Sequence, residues 1–255
     1  GLSVALASTD YFAPYFVERW DDIPDALKNE DGLFWSDYGG YMAVGYDPDA
    51  VPAPESLEDL LGADYRGKVA INGDPTQAGA AFAAVGMATV QNGGTLDDFQ
   101  AGIDFFEELN AAGNFVKIDP TPATVASGET PVVFDWDYLN AGYAADLDGQ
   151  RNWEVVVFPG TGYAGYYNQA INIDAPHPAA ARLWQEFLYS PEAQNLWLKG
   201  GARPVLEASM VENGEIDEAL YAALPEAPAD TVVPSSEQSD AAAALLGEKW
   251  ATAVQ

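Results

Sequence analysis

The run Thr130-Pro131-Val132-Val133-Phe134 constrains the fold most, because a short stretch of β-branched and aromatic residues without a charge reads as a buried strand around which other elements must pack. It is followed at once by Asp135-Trp136-Asp137-Tyr138, two carboxylates, an indole and a phenol in four residues. Such an ending reads as a strand that opens on a pocket.

The flanking sequence alternates between the two periodicities. Trp20 to Leu27 has an acidic start and a Pro near the first turn, as a short helix N-terminus does. Phe34 to Tyr46 reads as an aromatic-rich strand interrupted by Gly39-Gly40, a bend or close backbone approach where the chain crosses between lobes. Ser56 to Leu61 reads as a capped short helix and Lys68 to Asn72 as a strand; Gly73 to Met87 reads as a turn leading into a helix of small residues, with Thr76 as its N-cap. A helix opening at Thr95 carries Leu96, Phe99, Ile103, Phe106 and Leu109 at spacings of three and four and stops at Gly113. Further strands are expected at 115–118, 154–158 and 170–173, with a short helix from Ala123 to Ser127 between the first and second. Pro159 to Gly165 reads as a loop that delivers Tyr166-Tyr167. Leu183, Trp184, Phe187 and Leu188 fall on one side of a helix, a second helix starts at Ser190-Pro191 and ends at Gly200-Gly201, and an Ala-rich helix spans roughly 237–253 after an irregular stretch from 203. Strands alternating with helices make the class α/β.

The charge balance narrows the partners. Forty Asp and Glu against 10 Lys and Arg leave a formal charge of −30, so nucleic acid is a poor partner and an anionic membrane surface is disfavoured, since both need clustered cations. The excess reads as a solvating acidic surface, with salt adaptation one explanation. No run of apolar residues approaches the roughly 20 that a membrane-spanning helix requires. The opening Gly1 to Ser8 lacks the basic region of a complete signal peptide. With Cys at 0, disulfides, thiol nucleophiles and thiolate metal sites are all excluded, which suits an extracytoplasmic home. A lone His177 between two prolines reads as a loop residue, and neither a GxSxG elbow, a P-loop nor HExxH occurs.

The segments WDDIPDAL (20–27), YRGKVAINGDP (65–75), GGTLDDFQAGIDFFEELNAAGNF (93–115), FDWDY (134–138) and APHPAAARLWQEFLYSPEAQNLWLKGGARP (175–204) resemble extracellular solute-binding proteins of ABC importers. The resemblance is strongest to the branch for ferric iron, polyamines and aminophosphonates. It implies the two-lobed type 2 periplasmic-binding-protein fold, each lobe a mixed sheet flanked by helices, with ligand enclosed by a hinge motion. Residues 1–40 would form part of lobe 1, 41–166 lobe 2, and 167–255 the return to lobe 1 with the C-terminal helices. Family members carry a further strand-helix-strand unit of about 100 residues, the size of a domain, before the equivalent of Tyr11 to Tyr15, so the first lobe is expected to be incomplete here. The implied partners are a small-molecule ligand and the transmembrane subunits of an ABC permease, the membrane being reached only through the permease or a lipid anchor. A monomer without cofactor, metal or catalytic activity is expected.

Trp136, Asp137 and Tyr138 are candidates for an aromatic wall with a carboxylate for a cationic group; the competing possibility is a strand end packed as core. Strand alternation sends neighbours to opposite faces, which weighs against Asp135 and Tyr138 as contacts. Thr76 and Gln77 are candidates to receive a polar or anionic group at a helix N-terminus, or simply to cap it, and Thr121 and Thr124 carry the same ambiguity. Tyr38, Tyr166 and Tyr167 lie near the crossings. Together these favour an amine-bearing solute such as a polyamine or aminophosphonate. Ferric iron is the alternative, weakened because the iron branch has adjacent tyrosines where this chain has Trp136-Asp137-Tyr138. A remote third reading is a carboxylate-pair hydrolase, since Asp135 and Asp137 two residues apart on a strand would share a face at roughly 6–7 Å.

Overall fold

The computed structural model describes residues 8–147 and 149–255. The chain forms two compact units: the described residues up to Gly40 together with Tyr166–Leu224, and Tyr41–Gly165 together with Pro225–Gln255.

The second unit is built on β4 (Val132–Trp136), every residue of which is buried. It pairs antiparallel with the second half of β2 (Trp35–Tyr46), Met42 opposite Trp136 and Tyr46 opposite Val132, and parallel with β3 (Val69–Ile71). On its other edge β2 takes β5 (Glu154–Val156) antiparallel. Phe134 contributes to one face, where its ring meets Phe105 and Phe106 of α2 (Gln100–Ala111), and Phe106 in turn meets Trp250 of α9 (Ser236–Ala253). α1 (Gly79–Gln91) packs beside α2. Val133 points the opposite way, into a cluster with Val125 of α3 (Pro122–Ser127), Leu147 and Trp153, flanked by Tyr143 of α4 (Asp137–Asp146). The uninterrupted apolar run is thereby explained: both faces of the strand are covered, and burying a side chain the size of Phe134 stabilises by about 1.5–3 kcal/mol.

In the first unit, Trp35, Ile171, Tyr189, Leu206 and Met210 anchor a separate core. β1 (Phe12–Ala13) pairs antiparallel with β7 (Ile171–Asn172), and the first half of β2 pairs with β8 (Arg203–Pro204). α5 (Pro178–Leu188), α6 (Pro191–Lys199), α7 (Glu207–Asn213) and α8 (Glu218–Ala222) complete it, α6 starting where the Ser190 hydroxyl accepts the Ala193 amide. β6 (Thr161–Gln169) runs from the second unit into the first. Within the second unit it pairs parallel with β9 (Asp230–Val232).

Several expectations are corrected. β2 runs unbroken through Gly39-Gly40, although the chain does change unit where a crossing was expected, between Gly40 and Tyr41. The stretch from Trp20 to Leu27 forms two single 3-10 turns, since Pro24 separates them. α1 begins at Gly79 with Ala78 at its N-cap, because Asp74 claims the Thr76 amide and hydroxyl for a turn of its own. Thr95 sits in a turn bridged to Asp98, which delays α2 to Gln100. The segment from Phe115 contributes one bridge to Val69 in place of a strand, and the loop expected from Pro159 becomes β6 at Thr161. The irregular stretch after 203 contains α7 and α8. On α5, Leu188 is buried but Leu183, Trp184 and Phe187 are exposed. Finally, Pro225–Gln255 belongs with the second unit, because Trp250 packs on Phe106 and Phe115. The apolar opening at residues 1–7 lies outside the described residues.

α1 and α2 touch at Gly102, where an added Cβ would stand 2.2 Å from the Val85 carbonyl oxygen and 2.5 Å from Thr89 Oγ1. The Gly102 amide donates to that same hydroxyl at 3.1 Å. Replacing Gly102 with Ala is therefore expected to force the helices apart and cost about 1–3 kcal/mol, read as a lower urea midpoint at unchanged slope; an unmoved midpoint would refute the close approach.

Candidate functional site

Strand β4 stops at Trp136, whose extended backbone turns directly into α4. Asp137 is the first helical residue, a position where the helix dipole favours a carboxylate. Its Oδ1 accepts the Tyr138 amide at 3.0 Å and the Tyr41 amide at 3.1 Å. The Trp136 and Tyr138 rings lie parallel, 6.4 Å apart at 5°. The indole is seated on Gly165, the last residue of this segment of the second unit: a Cβ there would stand 2.3 Å from Trp136 Cη2.

Asp135 is also fully buried, its Oδ1 accepting the Trp136 amide at 2.8 Å and its Oδ2 accepting Asn72 Nδ2 at 2.7 Å. Burial pushes its carboxyl up to about 6, with the two hydrogen bonds pulling the other way. The strand-face carboxylate pair imagined for a hydrolase is not formed: β4 ends before Asp137, and each carboxylate is engaged by its own amide donors. Asn72 was not singled out in the sequence. Its signal is weak, a polar residue where β3 leaves the sheet beside β4.

Thr76 and Gln77 sit in the exposed turn after β3, with the Thr76 hydroxyl donating to Asp74 Oδ1 at 2.6 Å and the Gln77 amide to the Asp74 carbonyl at 2.9 Å. Thr121 and Thr124 cap α3 reciprocally, each side chain accepting the other's amide. That is ordinary capping.

In the first unit Tyr38 is the centre of a three-ring stack. Tyr167 covers one side at 4.9 Å and 17°, and Trp197 of α6 the other at 4.0 Å and 21°. Tyr166 and Tyr167 are consecutive on β6 and take opposite faces, so the structure brings Tyr167 into the stack and leaves Tyr166 beside it. Burial first, then the neighbouring Tyr167 and Asp37, push the Tyr38 phenol up to about 12. Trp197 was missed because it sits in a helical pattern, where an aromatic residue reads as core. The structure thus gathers the candidates into two sets. Trp136, Asp137 and Tyr138 stand at the end of β4 beside Gly165, and Tyr38 and Tyr167 stand on the two strands that cross between units, Tyr38 just before one point where the chain changes unit and Tyr167 just after the other. His177 lies in the exposed turn ahead of α5. Among the described residues no helix is long and apolar enough to cross a membrane.

Comparison with known proteins fixes the framework. No curated protein matches the chain in sequence. The chain is similar in fold to a periplasmic thiamin binding protein at 20% identity and a TM-score of 0.75, covering 100% of this chain and 76% of that one. It is similar to the spermidine/putrescine substrate-binding protein of an ABC transporter from Streptococcus pneumoniae at 14% identity and 0.69, covering 99% and 81%. The periplasmic binding protein AfuA from Actinobacillus pleuropneumoniae, with fructose-6-phosphate bound, matches at 17% identity and 0.69, covering 99% and 80%. At these identities the likeness shows the fold, a periplasmic-binding-protein α/β architecture. The family model for bacterial extracellular solute-binding proteins matches residues 4–226, most of the chain, and the chain belongs to that family.

Proposed function

We propose that the protein captures a small polar solute bearing an amine, of polyamine or aminophosphonate type, for delivery to an ABC permease. In this reading the contacts to the solute are drawn from Trp136, Asp137 and Tyr138 of the second unit and from Tyr38, Tyr166 and Tyr167 of the first, with Thr76 and Gln77 as outer contacts. The observation that carries it is the parallel Trp136 and Tyr138 rings beside a buried carboxylate at the end of β4. Electron-rich ring faces and a carboxylate recognise an ammonium group.

Magnitudes decide what else is needed. Two aromatic faces at roughly 0.5–2 kcal/mol each fall short of the roughly 8 kcal/mol of micromolar binding, so Asp137 and the burial of the solute's apolar surface supply the remainder. The formal charge of −30 raises the local concentration of a cation and speeds its capture. Thiamin and spermidine, the solutes named for two of the fold relatives, are both cations; a sugar phosphate, named for the third, is not. Ferric iron, which calls for phenolate ligands, is disfavoured by a Tyr38 phenol stacked on both faces and pushed up to about 12.

Calorimetry at pH 7 with putrescine, spermidine, thiamine, 2-aminoethylphosphonate and fructose-6-phosphate tests the class. At least one amine is expected to bind in the micromolar range or tighter, about tenfold more weakly after Trp136→Ala, and undetectably after Asp137→Ala in a variant that still melts cooperatively. Heat from fructose-6-phosphate alone, or from none of the five, would sink the proposal. Gly165→Val supplies an independent prediction: the added side chain takes the space under the buried Trp136 ring, so the melting temperature should fall as at other overpacked sites and the amine affinity of the still-folded variant should fall with it, whereas unchanged affinity would remove Trp136 from the site.

A further inference from the structure

One buried polar cluster in the first unit has no part in the ligand contacts above. Asp37 on β2 is fully buried, its Oδ1 accepting the Tyr38 amide at 2.9 Å and its Oδ2 accepting Gln169 Nε2 at 2.7 Å. Gln169 Oε1 accepts Gln185 Nε2 of α5 at 3.4 Å, and the buried Gln185 Oε1 has no hydrogen-bond partner among the described residues. One residue back along each strand, the Ser36 hydroxyl donates to Asn168 Oδ1 at 3.0 Å. These two side-chain bonds hold β2 to β6 directly behind the Tyr38–Tyr167 pair.

We propose that Asp37, Gln169 and Gln185 are positioning residues for the Tyr38–Tyr167–Trp197 stack, and that the solute is held by the form in which Asp37 is ionised. The second half of that statement rests on the ligand reading above; the first does not. An ionised carboxylate only accepts, so it satisfies both of its N–H donors. A proton taken from solvent goes to Oδ2, since Oδ1 is committed to the Tyr38 amide, and there it meets the Gln169 amide nitrogen, donor against donor. The conflict is relieved when the Gln169 amide turns over and accepts the new O–H through Oε1. Its Nε2 then faces α5, and once the Gln185 amide turns as well, Gln185 Oε1 accepts it while Gln185 Nε2 moves to the position the oxygen held. The relay therefore has two bonded arrangements of opposite polarity, each with one outer Gln185 atom without a partner among the described residues.

Burial pushes Asp37 up to about 6, against the Gln169 and Tyr38 bonds that lower it. From α6 the Gln194 amide donates to the Asp37 carbonyl at 3.4 Å. The Tyr38 and Tyr189 phenols feel the carboxylate's charge. Because the folded value lies above the unfolded one, the folded chain holds this proton more tightly. The contribution of Asp37 to stability is complete below its ordinary 3.8 and is lost as pH rises through about 6. The form proposed to bind is thus the less stable one, so D37N, which copies the neutral carboxyl, is expected to fold.

The test follows near-UV circular dichroism and spermidine calorimetry of the full chain between pH 5 and 8. Wild type is expected to show an aromatic transition near pH 6 and spermidine affinity falling about tenfold per pH unit below it. D37N should show neither, binding weakly at every pH, and D37N/Q169E, in which the amide at 37 donates to a carboxylate at 169, should regain the wild-type aromatic spectrum at pH 7. Should D37N fail to fold, Q185M serves instead: removing the amide that ends the relay in both arrangements should move the transition away from that of wild type. Superimposable profiles for wild type and D37N, or an unmoved midpoint in Q185M, would overturn the proposal. An aromatic transition that D37N abolishes, with no heat from spermidine at any pH, would support the relay and count against the ligand reading alone.

Discussion

Covering both faces of β4 is the constraint from which the second unit follows. Phe134 draws α2 and, through Phe106, α9 onto one side; Val133 draws α3, Leu147 and Trp153 onto the other. A strand so enclosed can present polar groups only at its end. Its end is where Asp135, Trp136 and the first residue of α4 are found. The return of the chain's final segment to this unit has the same origin, since Trp250 closes the Phe106 and Phe115 face.

A recurring local device links the two candidate sets. In Asp37-Tyr38, Asp135-Trp136 and Asp137-Tyr138 a fully buried carboxylate accepts the backbone amide of the aromatic residue that follows it. For Asp37 and Asp135 a side-chain amide, Gln169 or Asn72, takes the second oxygen. The arrangement fixes the backbone of each aromatic residue while leaving its ring to stack. Charge burial is tolerated because it is hydrogen-bonded, and its cost appears as the raised carboxyls of Asp37 and Asp135.

Much of this was legible in the sequence where local chemistry decided the outcome. The β4 run, the short helix ending at Ser127, the stop at Gly113 and the spacing from Phe99 to Leu109 all act within a few residues. The class and family followed from the same segments. What was not legible depended on competition or distance. Asp74 outbid the helix for Thr76, Trp197 looked like helical core until Tyr38 was placed beneath it, and nothing in either segment signals that Asn72 meets Asp135 across 63 residues of chain. The exposed Leu183, Trp184 and Phe187 show the limit of periodicity, which finds an apolar face but not whether anything covers it.

Hydrogen–deuterium exchange with and without a saturating amine identified by calorimetry tests the central claim most directly. Binding by both candidate sets predicts simultaneous protection of 36–42, 134–140 and 163–169, with α2 and α9 unchanged. Protection confined to one of these segments, or located elsewhere, would contradict it.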